Sequence, residues 1–261
     1  MATTQYCIHG EENCNRCAMA EVEAPTIHLH LLLDVSTSMC SRWNQTISGL
    51  NEYIAALRQD SADYKISIST FGLENELTDL YIDADLDAVK KFDAVSFYPN
   101  GRGTALWGAV GISLKKITTS QPVLFVVITD GEENSSLTWT SATVDTLIEE
   151  RKKAGNYTFA YLGVDKAAWG QEAQVHAFAA SNMNLQASQY DIGTYRGLAT
   201  FTSGYAQTMA LNSSLGRTMS VNNLFDPNVE VEDDLTGGTS YVGSSGTTPA
   251  SASSGSWVAS K

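Results

Sequence analysis

An apolar run from Ile27 to Leu33 ends in three oxygen-bearing side chains, those of Asp34, Ser36 and Ser38. The run contains two histidines but is otherwise apolar, and its length suits a buried strand rather than a membrane-spanning segment. Alternate residues of an extended turn point the same way, so the three side chains can converge on one cation. Hydroxyls and a carboxylate favour Mg²⁺, Mn²⁺ or Ca²⁺ over Zn²⁺. Taken alone, the triplet is equally typical of a helix cap.

Two later segments favour the metal site over the cap. Val123 to Ile128 is a continuous apolar run, typical of a strand buried on both faces, and Thr129 and Asp130 follow it. Between the two runs, Gly101 to Leu106 forms a flexible loop whose Thr104 we expect to cap the following helix. Ligands of doubly wound sheets bind at the carboxyl ends of the strands, where the strand order reverses. We therefore expect all these loops to meet at one edge of a sheet.

These segments resemble a von Willebrand factor A domain with an intact metal-ion-dependent adhesion site. The resemblance covers roughly residues 25 to 215 and rests on Asp34-Val-Ser36-Thr-Ser38-Met39, Gly103-Thr104-Ala-Leu106 and Thr129-Asp130-Gly131. It implies that Ser36, Ser38 and Thr104 bind Mg²⁺ directly or nearly so, while Asp34 and Asp130 hold metal-bound waters and orient the hydroxyls. The family site leaves one coordination position open for a partner's carboxylate. The chemistry of the ligands agrees with this, because neutral hydroxyls leave enough positive charge on the ion to attract a carboxylate.

Several residues near these motifs leave open whether the partner side chain that binds here is acidic. Thr37 and Arg102 stand where the family often has Gly. Arg102 is a candidate partner-binding residue for an acidic ligand, and a solvated loop residue is the alternative. Glu132, the other candidate partner-binding residue, and Glu133 follow directly after the Asp130 segment. They either complement the amino terminus of the next helix, bind the metal, or repel an acidic partner.

The rest of the sequence alternates between helix and strand patterns. Helices are predicted at 42–59, 106–117 and 144–154, and strands at 64–71, 76–82, 157–164 and 177–185, with Asp165 capping a helix from Lys166. Tyr195, Leu198, Thr202, Tyr205 and Met209 recur at helical spacing and predict a core-facing stripe. Together these segments predict an α/β, Rossmann-like, doubly wound fold. Its sheet is mostly parallel with one antiparallel edge strand from a hairpin, and helices lie on both faces.

Composition changes along the 261-residue chain predict its domain boundaries. We expect a Cys/His-rich segment at 1–24, the A domain at 25–217, and an acidic, then Gly/Ser/Thr-rich, disordered tail at 218–261. The formal net charge of -13 argues against nucleic-acid and anionic-membrane binding. The sequence shows no secretory signal and no apolar run of about 18 residues, so we expect a cytoplasmic protein, with a virion or another assembly left open.

The amino-terminal segment contains a second candidate metal site, formed by Cys7, His9, Cys14 and Cys17. Three thiolates and an imidazole are a ligand set for structural Zn²⁺, and the Cys14 to Cys17 spacing lets both sulfurs face one ion. His28 or Cys40 are alternatives for one ligand. A disulfide, a redox pair or plain unpaired cysteines are the competing interpretations. Bound zinc at one ion per chain is the prediction.

Enzymatic alternatives fit the sequence less well. An aspartate-nucleophile phosphatase needs a second acid two residues after Asp34, and Ser36 stands there. No nucleophile elbow surrounds the serines, and no phosphate-binding Gly-Lys-Ser or Gly-Lys-Thr loop is present. We therefore predict a non-enzymatic, metal-dependent module that binds an Asp or Glu of a partner protein. The alternatives are a subunit of an ATPase-associated, stress-response or phage-related assembly and, from a different class, a metal-dependent phosphatase or hydrolase.

Overall fold

The computed structural model describes residues 24–130, 133–163, 183–186 and 192–214. The strands are β1 (Ile27–Asp34), β2 (Tyr64–Phe71), β3 (Thr78–Asp85), β4 (Val123–Ile128), β5 (Tyr157–Gly163) and β6 (Met183–Gln186). The helices are α1 (Trp43–Leu57), α2 (Leu106–Lys116), α3 (Ser141–Ala154) and α4 (Ile192–Ser214). A short 3₁₀ turn, Thr37–Ser41, lies between β1 and α1. The candidate zinc ligands Cys7, His9, Cys14 and Cys17, the Asp165 cap and the predicted tail all lie outside the described residues.

The strands form one sheet in the order β3-β2-β1-β4-β5-β6. Among the described strands, only β3 runs antiparallel to its neighbour, which confirms the predicted mostly parallel sheet with one antiparallel edge strand. The strand order reverses between β1 and β4, where Leu33 lies opposite Ile128. Asp34 and Thr129, which follow these two residues, are therefore brought side by side at the carboxyl edge of the sheet.

Helices cover both faces of the sheet, as predicted. Helices α1 and α4 pack on one face and α2 and α3 on the other, each with its own buried apolar cluster. Successive residues of β1 alternate between the two clusters, with Leu31 and Leu33 in the first and Leu32 in the second. This explains why the strand reads as a continuous apolar run, because both of its faces are buried. All five residues of the predicted α4 stripe are buried: Tyr195, Leu198, Thr202, Tyr205 and Met209.

Several sequence predictions about element ends are wrong or shifted: α3 begins at Ser141 rather than at 144, and β3 spans Thr78–Asp85 rather than 76–82. Thr104 does not cap α2, because Ala105 is the residue that flanks the helix and no side-chain cap bond is made there. Of the strand predicted at 177–185, the structure describes the part from Met183, which lies in β6, and residues 177–182 lie outside the described residues. Among the described helices, none has the length and apolar character needed to cross a membrane.

Candidate metal centre

Asp34 joins the ends of β1 and β4 through both of its carboxylate oxygens. Its Oδ1 accepts a hydrogen bond from the backbone N–H of Ser36 at 2.7 Å, and its Oδ2 accepts one from Thr129 Oγ1 at 2.6 Å. The side chain is fully buried, at 0 % exposure. Burial raises the pKa of Asp34 to about 6, against the hydrogen bonds from Thr129 and Ser36, which lower it, and the nearby Asp130 raises it further. A cation bound beside this carboxylate would favour its ionised form.

The two serines continue this network towards the loop after β4. Ser36 Oγ and Ser38 Oγ lie 2.9 Å apart, and Ser38 Oγ donates to Asp130 Oδ1 at 2.7 Å. Ser36 is buried and Ser38 is exposed, while the Asp130 side chain is only 1 % exposed. The structure therefore brings together four of the five predicted magnesium ligands in one chain of hydrogen bonds, which runs from Asp34 through Ser36 and Ser38 to Asp130.

The loop at Gly101 is held against the turn after β1. Gly101 N–H donates to Val35 O at 2.9 Å, and Gly101 O accepts from both the N–H and the hydroxyl of Thr37 at 3.0 Å. A Cβ at Gly101 would lie 3.0 Å from Val35 O and 3.2 Å from Gly72 Cα, so a side chain here would force the neighbouring backbone to shift. The side chain of Thr37 thus adds a hydroxyl contact between the two loops.

Thr104, the fifth predicted ligand, is buried and tied to the loop after β4. Its N–H donates to Asn134 Oδ1 at 3.0 Å, and its carbonyl accepts from Asn134 N–H at 3.0 Å. Thr104 thereby connects the Gly101 loop with the segment that follows Asp130. The amide of Asn134, which sequence reasoning missed, is the residue that makes this connection.

Glu133 has a structural role that differs from the predicted ones. Its carboxylate accepts hydrogen bonds from the N–H groups of Trp107, Ser135 and Ser136 and from the Ser136 hydroxyl. It therefore complements the amino terminus of α2, the preceding helix, rather than that of the next helix, and its oxygens are already engaged. The signal in the sequence was the run Glu133-Asn-Ser-Ser136, whose short polar side chains are typical of capping.

Arg42 is a further site residue that the sequence analysis did not single out. Its Nη1 donates to Asp130 Oδ2 at 2.9 Å, so each oxygen of Asp130 has a partner from the segment just after β1. The Arg42 side chain is 36 % exposed. Arg102, the predicted partner-binding residue, lies exposed in the Gly101 loop, and Glu132 lies outside the described residues.

His28 and Cys40, each an alternative for one zinc ligand, lie near opposite ends of β1. His28, near the start of β1, has its Nδ1 3.1 Å from Asp83 Oδ1, whereas Cys40, in the turn after β1, has its Sγ 3.9 Å from Pro99 O. The amino-terminal zinc site stays a prediction.

Comparisons with known proteins identify the fold but not a sequence family. No family model matches the chain, and no curated protein matches it. The solved structure of proximal thread matrix protein 1 from the mussel byssus is 11% identical, covers 70% of this chain and 46% of that chain, and gives a TM-score of 0.51. The fold is that of a von Willebrand factor A domain.

Two further structures share this A-domain fold. One is the same matrix protein with a zinc-occupied MIDAS (metal-ion-dependent adhesion site) motif. It is 13% identical over 69% of this chain and 46% of that chain, with a TM-score of 0.50. The other is the pilus adhesin SpaC from Lactobacillus rhamnosus GG, 10% identical over 73% of this chain and 31% of that chain, with a TM-score of 0.53. The present chain thus spans less than half the length of each of these proteins.

The donors at the carboxyl edge of this sheet fit a hard divalent cation. They are hydroxyl and carboxylate oxygens, which Mg²⁺, Mn²⁺ and Ca²⁺ prefer. Within the part of the chain that the structure describes, no cluster of three or more His, Cys, Asp or Glu residues is suited to a metal. A cation here would therefore depend on the hydroxyls of Ser36, Ser38 and Thr104 as well as on the carboxylates of Asp34 and Asp130.

Proposed function

We propose that this chain is a metal-dependent protein-binding module. Mg²⁺, or Mn²⁺ or Ca²⁺ in its place, binds Ser36, Ser38 and Thr104, with Asp34 and Asp130 orienting the hydroxyls and metal-bound waters. The observation that carries the proposal is the continuous hydrogen-bonded chain from Asp34 through both serines to Asp130. Such a chain holds hydroxyl oxygens in place before a metal arrives, which reduces the entropy lost on binding.

The charge of the site favours a partner that presents Asp or Glu. Neutral hydroxyls leave most of the charge on the ion, and Arg42 already pairs with one of the two carboxylates. An open coordination position on such an ion attracts a carboxylate oxygen. The A-domain fold is shared with a protein whose structure has a zinc-occupied MIDAS motif and with a pilus adhesin, which is consistent with metal-dependent protein binding.

A non-enzymatic role is part of the proposal. A phosphatase that uses Asp34 as nucleophile would need an exposed carboxylate oxygen, whereas Asp34 is buried and both of its oxygens accept hydrogen bonds. The position of a proton-donating acid is held by Ser36. Membership of a larger assembly and a cytoplasmic location stay predictions.

Metal binding and partner capture together test the proposal. Calorimetry should show Mg²⁺ or Mn²⁺ binding to the wild type and none to Ser36→Ala/Ser38→Ala, with Ser48→Ala on the exposed side of α1 as a control that binds normally. A pull-down should then retain a partner only with the wild type in Mg²⁺ and release it in EDTA. Equal retention by the double variant, or turnover of aryl phosphates that Asp34→Asn abolishes, would refute the proposal.

A further inference from the structure

Arg42 occupies a distinctive place beside the candidate metal centre. It is the residue that flanks the start of α1, directly after the turn that carries Ser36 and Ser38. The pairing of its Nη1 with Asp130 Oδ2 fixes the guanidinium against a side chain that is only 1 % exposed. Within the described residues this is the one hydrogen bond its side chain makes, and it uses only part of the N–H donors of a guanidinium.

We propose that Arg42 and the bound metal together form a two-point receptor for the carboxylate of an acidic partner, an inference that rests on the proposed function. One carboxylate oxygen binds the open position on the metal, and the other accepts a hydrogen bond from Arg42. The guanidinium matches carboxylate geometry, and its 36 % exposure leaves donors available to a ligand at this edge of the sheet.

Because of its positive charge, Arg42 affects the binding of the metal ion and the binding of the partner's carboxylate in opposite directions. The carboxylates of Asp34 and Asp130 outnumber the single guanidinium of Arg42, so the metal-free site is negative and repels an acidic partner. A bound divalent ion makes the net charge of the site positive. Arg42 repels the ion, since both are cationic, and strengthens the attraction of the loaded site for a carboxylate. Removing Arg42 should therefore tighten metal binding and weaken carboxylate binding.

Arg42 is better placed for this role than Arg102. Arg102 is exposed in the Gly101 loop, whereas Arg42 is held by the buried carboxylate of Asp130. A guanidinium already fixed in orientation loses less conformational entropy when it binds a ligand. The same ion pair places it beside Asp130, whose other oxygen contacts the candidate ligand Ser38.

The experiment measures both affinities in full-length Arg42→Gln, Arg42→Lys and Arg196→Gln. Arg196 pairs with Glu52 on the exposed surface of α4 and α1, so its variant matches the charge change away from the site. Calorimetry gives the affinity for Mn²⁺ alone. Water-proton relaxation of the Mn²⁺-loaded protein then gives the affinity for acetate, because relaxation falls when acetate displaces a metal-bound water.

Arg42→Gln should bind Mn²⁺ about tenfold more tightly and acetate about tenfold more weakly than the wild type, while Arg196→Gln changes neither. Arg42→Lys keeps the charge without the planar fork. It should keep Mn²⁺ affinity within about twofold and lose about threefold in acetate affinity. The lysine variant also tests the inference if the glutamine variant does not fold.

Opposite shifts in the two affinities support the inference, since loss of structure would weaken both together. Parallel losses in Arg42→Gln, unchanged affinities, or effects equal to those of Arg196→Gln would overturn it while the wild type still binds Mn²⁺. If the wild type binds no Mn²⁺, the proposed function fails, and this inference fails with it.

Discussion

Strand β1 buries two ionisable side chains, His30 near its middle and Asp34 at its carboxyl end, and their surroundings differ. Both oxygens of Asp34 accept hydrogen bonds, whereas Nε2 of His30 has no hydrogen-bond partner in the part of the chain that the structure describes. The imidazole stacks on Phe125, with ring centroids 5.0 Å apart and planes 3° from parallel. Asp34 is thus buried within a hydrogen-bonded network at the strand end, whereas His30 is buried in an aromatic stack within the core.

Burial shifts the pKa of each group in the direction that favours its neutral form. The two shifts change the free energy of unfolding in opposite directions as the pH falls. Burial lowers the pKa of His30 to about 4, with Asp79 nearby raising it and Lys116 lowering it further. The unfolded chain therefore binds the proton first as the pH falls, and stability is lost between pH 6.5 and about 4. The raised pKa of Asp34, about 6, makes stability fall instead as the pH rises from 3.8 to about 6.

The largest effect that separates the two residues is the pH dependence of folding. Protonation of His30 should lower the free energy of unfolding by about 3 kcal/mol between pH 7 and pH 4. Urea unfolding across this range should show that contribution in the wild type and its absence in His30→Phe, which keeps the ring stack. Identical pH dependence in the two proteins would mean that His30 is hydrated and does not behave as a buried neutral group.

Replacing Asp34 should chiefly affect metal binding. Asp34→Asn keeps the shape but removes the charge, and should weaken Mn²⁺ binding about 100-fold, or about 2.7 kcal/mol. Calorimetry measures this against Asp63→Asn, an exposed aspartate at the opposite end of the sheet, whose side chain accepts a hydrogen bond from Thr26. Equal affinities in all three proteins would assign Asp34 a purely structural role, like that of His30.

A smaller change is expected from the hydroxyl that orients Asp34. Thr129→Val removes the donor to Asp34 Oδ2 and should weaken Mn²⁺ binding about tenfold. Thr158→Val makes the same substitution at a buried position of β5 and should leave the affinity unchanged. A loss of Mn²⁺ affinity in both variants would point to general loosening of the sheet.

The smallest effect is expected at Glu133, which lies in the loop after β4 but is engaged by backbone donors. Glu133→Gln weakens the hydrogen bonds that hold the start of α2 and should lower the free energy of unfolding by about 1 kcal/mol. Its Mn²⁺ affinity should match that of the wild type and of Glu150→Gln, an exposed control on α3. A marked fall in Mn²⁺ affinity without loss of stability would make Glu133 a metal ligand.

Sequence patterns predicted the fold well because strands that are buried on both faces appear in the sequence as continuous apolar runs, and a core-facing helix appears as a regular apolar stripe. Runs such as Val123–Ile128 identify central strands, and the helical stripe of α4 is regular from Tyr195 to Met209. The wrong prediction at Thr104 has a local cause. A threonine before a helix is typical of a cap, but here Glu133 accepts from Trp107 N–H and Ser136 Oγ accepts from Gly108 N–H, and both residues are distant in sequence.

The sequence by itself determined the A-domain architecture and the candidate ligands, because periodicity, strand-end oxygens and motif order are local properties of the chain. Only the tertiary structure decided which of these groups pair. The bonds from Thr129 to Asp34, from Arg42 to Asp130 and from Thr104 to Asn134 all join residues far apart in the chain. Such contacts depend on strand order and register, which bring distant loops to one edge of the sheet and leave no periodic signal in the sequence.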